Sequence, residues 1–156
     1  MLSGMENIED ALLAADRAAA APFVQTPPAP AWYPLAMAIY FTAVAGSFPL
    51  LQDDHVLLGA GVLVVAISGL LTLTLTIRAQ RGTWPRLAEA PPEIKRVVAV
   101  FVSLAVLALL VSAAIWFWVG AAAGLSTVFI ASLAVVWAYE FRLYPAAARQ
   151  VRQRLV

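Results

Sequence analysis

The sequence predicts an all-α integral membrane protein, a four-helix transmembrane bundle of two antiparallel helical hairpins preceded by a cytoplasmic amphipathic helix. The chain of 156 residues is 63% hydrophobic and 12% charged, and its mean hydropathy is +0.86. A soluble domain is about 25% charged, and a chain this short has too little interior to hide so much apolar surface from water. The apolar residues also fall in uncharged runs of spanning length, with the basic residues outside these runs.

The N-terminal region, residues 1–33, is predicted to be an acidic helix followed by a proline-rich linker. Within residues 5–21, MENIEDALLAADRAAAA, one helical face carries Ile8, Leu12, Ala15 and Ala19. A narrow, alanine-rich face makes a marginal helix in isolation. We therefore expect the helix to dock on the chain's own cytoplasmic loop, on a second copy or on a partner. The linker APFVQTPPAPAWYP is interpreted as a stiff spacer rather than a docking peptide for a proline-binding domain.

Four segments are apolar enough to cross a bilayer, which takes about 17–25 residues. They form a membrane domain of residues 34–140, with spans at about 34–51, 56–77, 97–119 and 123–140. The last two come from one charge-free stretch that is too long for a single span. Gly120 and Gly124 bracket the predicted turn between them, because glycine permits a sharp reversal of the backbone.

The second span contains an alternating stretch, LTLTLTI (71–77), of the kind that usually indicates a strand. An isolated strand in lipid would leave its backbone groups unpaired, at several kcal/mol each, so we predict helix here as well. On a helix, Ser68, Thr72 and Thr76 form one polar stripe. Small and hydroxyl side chains let helices approach closely, so we interpret the stripe as a packing face, with a polar conduit as the alternative.

All ten lysine and arginine residues lie on one side of the predicted membrane. They occupy the N-terminal tail, the loop between spans two and three, and the basic tail of residues 141–156. Because positive residues stay in the cytoplasm, both termini and the central loop are predicted to be cytoplasmic. The abundance of arginine, alanine and valine is typical of a bacterium with a GC-rich genome, so we expect the bacterial inner (cytoplasmic) membrane. Arg149, Arg152 and the Val151/Leu155 pair are expected to hold the tail along anionic headgroups.

The predicted outer turn between the first two spans holds Asp53, Asp54 and His55, the only histidine. Adjacent residues in a short turn rarely converge on one ion, and no other ligand is available on that side. We interpret the turn as solvated, with an aspartate capping the second span. A weak ion site shared between subunits is the alternative. No catalytic residue, metal site or cofactor is predicted.

Ionisable groups deep within a span would indicate transport or catalysis, because they are costly there. The nearest is Glu140, at the inner edge of the fourth span, which we expect to pair with Arg78 at the inner end of the second. A role in proton-coupled transport is the alternative. The spans lack the glutamate of small multidrug transporters, the asparagines of fluoride channels and the histidines of redox subunits. Motifs for nucleotide binding or hydrolysis are also absent from the sequence.

The segment ALLAADRAAAA, the proline spacer and the AWYP sequence before the first span resemble those of small uncharacterised four-span membrane proteins of actinobacteria. The resemblance implies a membrane fold and a compartment, and it implies no activity.

We therefore expect a non-enzymatic accessory or scaffold subunit that acts through its cytoplasmic face. Its expected partners are the lipid bilayer, a membrane or cytoplasmic protein bound through residues 5–21, and further copies of itself. Nucleic acid is not expected, because the net charge is only +1. The alternative function is a small homo-oligomeric transporter or channel that uses the hydroxyl stripe. A lipid-modifying enzyme ranks third, because the sequence offers no catalytic groups for it.

Overall fold

The computed structural model describes residues 2–25, 27, 29–52, 55–81 and 86–155, with side chains for all of these except 2–10, 13, 80, 81 and 155. Helix dominates, and no strand occurs in this part of the chain. The helices are α1 (Leu2–Val24), α2 (Tyr33–Gln52), α3 (Val56–Arg81), α4 (Pro92–Val119), α5 (Ala121–Ala138) and α6 (Tyr144–Leu155). A short 3-10 helix, Leu87–Glu89, precedes α4, and a π-helical turn, Tyr139–Leu143, joins α5 to α6.

Four helical stretches are long and apolar enough to cross a membrane. They are Tyr33–Gln52, Val56–Ala79, Pro92–Val119 and Ala121–Arg154. The LTLTLTI segment is helical, as predicted. Many large apolar side chains on these helices face outwards, among them Leu57, which is 90% exposed, and Trp118, which is 88% exposed. Such surface is disfavoured in water by about 25 cal/mol per Å², so these helices are suited to a hydrocarbon surrounding.

The four long helices pack in the spatial order α3–α2–α5–α4. α2 and α5 form the central pair, and a Cβ atom built at Gly46 of α2 would lie 3.6 Å from Leu125 of α5. Ala38 and Ser47, both fully buried, also lie on α2. Within the described elements, no close packing joins α3 to α4. The bundle is therefore open between its two outer helices.

The connection between α4 and α5 consists of Gly120 alone, whose φ of 124° lies in the left-handed region that favours glycine. Gly124 has a different role from the predicted one of bracketing the turn. A Cβ atom there would lie 2.7 Å from the Cβ atom of Trp116, so the missing side chain allows the two helices to approach. The turn is thus shorter than predicted, and α5 begins at Ala121.

The helix of the predicted fourth span does not end near residue 140, because α5 continues through the π turn into α6, and the inner boundary of the span stays a prediction. The N–H of Tyr144 donates to the carbonyl of Tyr139, five residues earlier. The next residue, Pro145, has no N–H and its ring would crowd the carbonyl four residues before it in a regular α-helix. The wider π turn makes room for the proline without ending the helix. The basic tail is therefore an extension of the fourth long helix.

Candidate functional site

A cluster of buried apolar residues lies where α1, α6 and the start of α4 meet, and we call it the docking cluster. Its members are Ala20, Phe23, Val24, Ala90, Ile94, Ala147 and Val151, with Val97, Val98 and Tyr144 packed against them. Ile94 is 2% exposed and Val151 is fully buried. Apart from Ile94 at the start of α4, few side chains of the four long helices are buried to this degree. The docking cluster, at the ends of the apolar stretches, therefore resembles the core of a soluble protein more than the packing between the long helices does.

Two side chains of α6 bind the carbonyl groups at the end of α1. The hydroxyl of Tyr144 donates to the carbonyl oxygen of Phe23 at 2.8 Å, and the guanidinium of Arg152 donates to the carbonyl oxygen of Val24. The last carbonyls of a helix lack N–H partners within it and carry partial negative charge. A hydroxyl donor and a cation satisfy both needs. The C-terminal end of α1 is therefore fixed to α6 by apolar and polar contacts together.

The rest of α1 leaves its predicted apolar face uncovered. Leu12 is 62% exposed, and Ala15 and Ala19 on the same face are exposed as well. The side chain of Ile8, the fourth member of this face, lies outside the described set, as do those of the acids Glu6, Glu9 and Asp10. Of the three expected docking sites, the chain's own loop is therefore not the one for the three described members, and docking on a second copy or on a partner stays a prediction. The docking residues are instead those of the last turn of α1.

The apolar side of α6 faces protein. Val151, predicted to lie along lipid headgroups, is fully buried in the docking cluster, so it cannot serve that role. The described arginines of α6 are exposed, and Arg154 forms an ion pair with Glu93 in the first turn of α4 at 2.9 Å. The second carboxylate oxygen of Glu93 is buried without a hydrogen-bond partner among the described residues. Its position at a helix N-terminus offsets part of this cost, because the helix dipole favours negative charge there.

The predicted hydroxyl stripe runs along α3, and Ser68, Thr72 and Thr76 are all exposed. The hydroxyl of Thr72 donates to the carbonyl of Ser68 at 2.9 Å, and that of Thr76 donates to the carbonyl of Thr72 at 2.8 Å. Both threonine hydroxyls thus find acceptors inside their own helix. The two threonines also line an apolar groove of about 620 Å³ between α2 and α3. The interpretation of the stripe as a packing face stays a prediction.

The predicted ion pair between Glu140 and Arg78 also stays a prediction. Glu140 lies half-buried in the π turn, and Arg78 is exposed near the end of α3. The π turn packs against α4 and its neighbours α5 and α6, whereas α3 packs against α2. Beside Glu140, the guanidinium of Arg142 lies 5.5 Å from the centre of the Trp137 ring. A cation over an indole face is favourable, so this pair helps to fix the π turn at the end of the long apolar stretch.

The turn between α2 and α3 is described only in part, since Asp53 and Asp54, and with them the predicted aspartate cap, lie outside the described residues. His55 is exposed, and its carbonyl accepts the N–H of Gly59 at 3.0 Å, the first hydrogen bond of α3. His55 therefore occupies the N-cap position. Within the described part of the chain, no three histidine, aspartate or glutamate residues come together as a metal site.

Sequence reasoning missed the residues that fix α1. Phe23 and Val24 fall in the stretch interpreted as the proline-rich linker. A signal was present, because a phenylalanine and a valine follow the alanine run of the helix within three residues.

No protein-family model matches the chain, and no curated protein or solved structure shows significant similarity to it.

Proposed function

We propose that this protein is a non-enzymatic, multi-pass membrane protein that acts as an accessory or scaffold subunit through α1. The observation that carries the proposal is how α1 is held. Its last turn is fixed to α6, while Leu12, Ala15 and Ala19 form an exposed apolar face. A helix that is already formed and anchored loses less conformational freedom when it binds than a free segment does. Such a helix is therefore suited to holding a second protein.

The proposed topology has α2–α3 and α4–α5 as two antiparallel transmembrane hairpins in the inner membrane of a bacterium, with α1 and α6 in the cytoplasm. The packing of α2 on α3 and of α4 on α5, with very short connections, supports the hairpins. The restriction of lysine and arginine to the same side of all four spans supports the orientation. With α1 in the cytoplasm, its exposed face meets soluble proteins and the cytoplasmic parts of membrane proteins.

The chemistry of the exposed face favours a helix or an apolar groove as its partner. The alanines let another helix come close, and Leu12 supplies a large apolar side chain that can be buried. The N-terminal part of α1 carries several acidic residues, so a partner with a basic rim would be electrostatically complementary. The threonine hydroxyls of α3 already have acceptors in their own helix, so no specific observation favours the alternative of a transporter or channel.

Two matched glutamate substitutions test the proposal. Ala15→Glu places a charge on the Leu12 face, whereas Ala14→Glu places the same charge about 100° round the helix. Both alanines are exposed, so neither variant should disturb the fold. Tagged wild-type protein, the two variants and a form lacking residues 1–30 would be extracted from native membranes in mild detergent. Each preparation would be sized and analysed by mass spectrometry.

We expect a second protein in stoichiometric amount with the wild type and with Ala14→Glu, and its loss with Ala15→Glu and with the truncated form. Equal recovery with both glutamate variants would overturn the proposal, because the Leu12 face would then not be the contact. A wild-type protein that purifies alone and moves a solute across liposomes would favour the transporter or channel.

A further inference from the structure

The exposed apolar face of α1 has the spacing of a coiled-coil seam. Leu12, Ala15 and Ala19 follow one another at intervals of three and four residues, and all three are exposed. In the sequence, the same alternation continues towards the N-terminus at Ile8 and Met5. Intervals of three and four give a mean period of about 3.5 residues, which keeps one line of side chains against a second helix that winds around the first. We call the line from Met5 to Ala19 the α1 seam.

The α1 seam stays accessible while α1 is docked on α6. The docked residues Ala20, Phe23 and Val24 are buried, and on an α-helix they lie on average about 100° round from the seam. From Met5 to Ala19, the seam covers about 21 Å at 1.5 Å per residue. A second helix can therefore lie along about four turns of α1 without displacing α6.

One edge of the seam is lined by small residues. Ala11 and Ala18 each precede a seam residue by one position, and both are exposed. Alanines in the seam and along this edge let a second backbone approach closely. Large residues on the facing helix would then fill the space that the alanines leave, because well-packed helices set large side chains against small ones. The α1 seam thus fits a helix with bulky apolar residues.

The other edge of the seam is acidic. In the sequence, Glu9 and Asp16 each follow a seam residue by one position, and they are seven residues apart. Asp16 is exposed and forms no ion pair with another described residue, so its charge is available to a partner. Charges that flank a coiled-coil seam select the partner and its orientation. Acids on one edge alone therefore favour a helix with basic residues along the edge that meets them.

We propose that the α1 seam binds an amphipathic helix of a second protein as a two-stranded coiled coil, and that this helix carries basic residues along the edge that meets Glu9 and Asp16. The inference rests on the function proposed for α1 and names the chemistry of the partner. A short seam suffices, because α1 is already helical and is anchored at one end.

The charges of the chain argue against a second copy as the occupant. Two antiparallel α1 seams would bring their acidic edges together, and two parallel seams would set each acidic edge against the alanine edge of the other. The exposed side of α6 offers no apolar line to the seam either. Its residues there are polar, namely Arg149, Gln150 and Gln153. A basic amphipathic helix of another protein meets both the apolar and the charge requirement.

Two synthetic peptides of three heptads each serve as probes. Both carry leucine at the seam positions, and they differ only at the two flanking positions, which are lysine in one peptide and glutamate in the other. Like charges on both edges keep each peptide from pairing with itself. Binding of the labelled peptides to the full-length protein in nanodiscs of zwitterionic phosphatidylcholine would be followed by fluorescence anisotropy. The proteins are the wild type, Ala15→Glu in the seam, Ala14→Glu outside it, and the double variant Glu9→Lys/Asp16→Lys.

We expect the wild type to bind the lysine peptide about tenfold more tightly than the glutamate peptide, the ratio for two flanking pairs that change from attraction to repulsion. Ala14→Glu should bind the lysine peptide as the wild type does, and Ala15→Glu should lose it, because a carboxylate in the seam would be buried on binding. Glu9→Lys/Asp16→Lys should prefer the glutamate peptide. A wild type that binds neither peptide, or both equally, would overturn the inference, and so would an unchanged preference in the double variant.

The extraction from native membranes separates this inference from the proposed function. A second protein that is lost with Ala15→Glu, together with a wild type that binds neither peptide, would overturn the coiled coil and support the role of α1. A wild type that purifies alone but binds the lysine peptide with the expected preference would support the seam and overturn the role as an accessory subunit.

Discussion

Replacing Phe23 with alanine should release α1 from α6 while the long helices stay folded. Phe23 is 5% exposed in the docking cluster, and truncation of a buried phenylalanine to alanine costs about 3–5 kcal/mol. Each of the other contacts of α1 is individually smaller. Burial of Val24 contributes about 1.5–3 kcal/mol, and the hydrogen bond from Tyr144 contributes about 0.5–1.5 kcal/mol. The loss of Phe23 therefore removes a large share of the free energy that holds the last turn of α1.

Hydrogen exchange of the protein in lipid nanodiscs measures this release directly. Amides in the last turn of α1 exchange when that turn opens locally, so their rates report the local free energy. At the lower end of the range, about 3 kcal/mol, the rates should rise by on the order of a hundredfold. Arg152→Gln, which removes the cation at the carbonyl of Val24, should raise the rates of the same amides by a smaller factor.

The matched control for Phe23→Ala is Leu12→Ala, on the same helix. Leu12 is 62% exposed, so its truncation should leave the exchange of the last turn unchanged. Equal exchange rates in the two variants would refute the reasoning, because the docking cluster would then not be what holds α1. A uniform increase across α4 and α5 as well would also refute it, because Phe23 would then support the whole bundle rather than α1 alone.

Three further outcomes are expected. Gly124→Ala should lower stability by about 1–3 kcal/mol in thermal unfolding in detergent, because its Cβ atom would lie 2.7 Å from a side-chain carbon of α4. An unchanged melting temperature would contradict that close approach. The Thr72/Thr76→Val double variant should change the free energy of unfolding by less than about 0.5 kcal/mol, because both hydroxyls are hydrogen-bonded within α3. A loss of solute flux into liposomes with the fold intact would instead place the two threonines in a conduit. The chain has no cysteine, so single cysteines can be introduced as His55→Cys and Arg86→Cys. They should react with a membrane-impermeant maleimide from opposite sides of the membrane. Reaction of both from one side would contradict the proposed topology.

The long apolar helices could be predicted from the sequence because a membrane, the proposed surrounding, restricts the possible structures severely. Lipid offers no partner to backbone polar groups, so an uncharged run of spanning length has to be helical even where its pattern alternates. LTLTLTI in α3 illustrates this, since its period-two pattern alone would indicate a strand. The reversal at Gly120 was predictable for a similar reason, because one charge-free stretch had to fold back near its middle.

The spatial order of the helices could not be predicted, because lipid and apolar side chains are nearly equivalent surroundings for a transmembrane helix. In a water-soluble bundle, an apolar stripe shows which face is buried, whereas these helices are apolar on most of their faces. The residues that identify α2 as central are small ones, such as Ala38, Gly46 and Ser47. Alanine and glycine are frequent throughout the chain, so their positions on α2 carry little information without the structure.

The position of α1 depends on one local feature, the π turn before Pro145. Each additional residue in a helix rotates all later side chains by about 100°, so a π turn changes the direction in which the following helix faces. Upstream of it, α5 packs between α2 and α4, and downstream of it, α6 directs Tyr144 and Val151 towards α1. Without that rotation, the side of α6 that continues the packing face of α5 would not present the same residues to Phe23. Because α5 and α6 are one continuous helix, the anchor of α1 is rigidly connected to the long apolar stretch that precedes it. The proline thus links the packing of the bundle to the place where its exposed N-terminal helix is held.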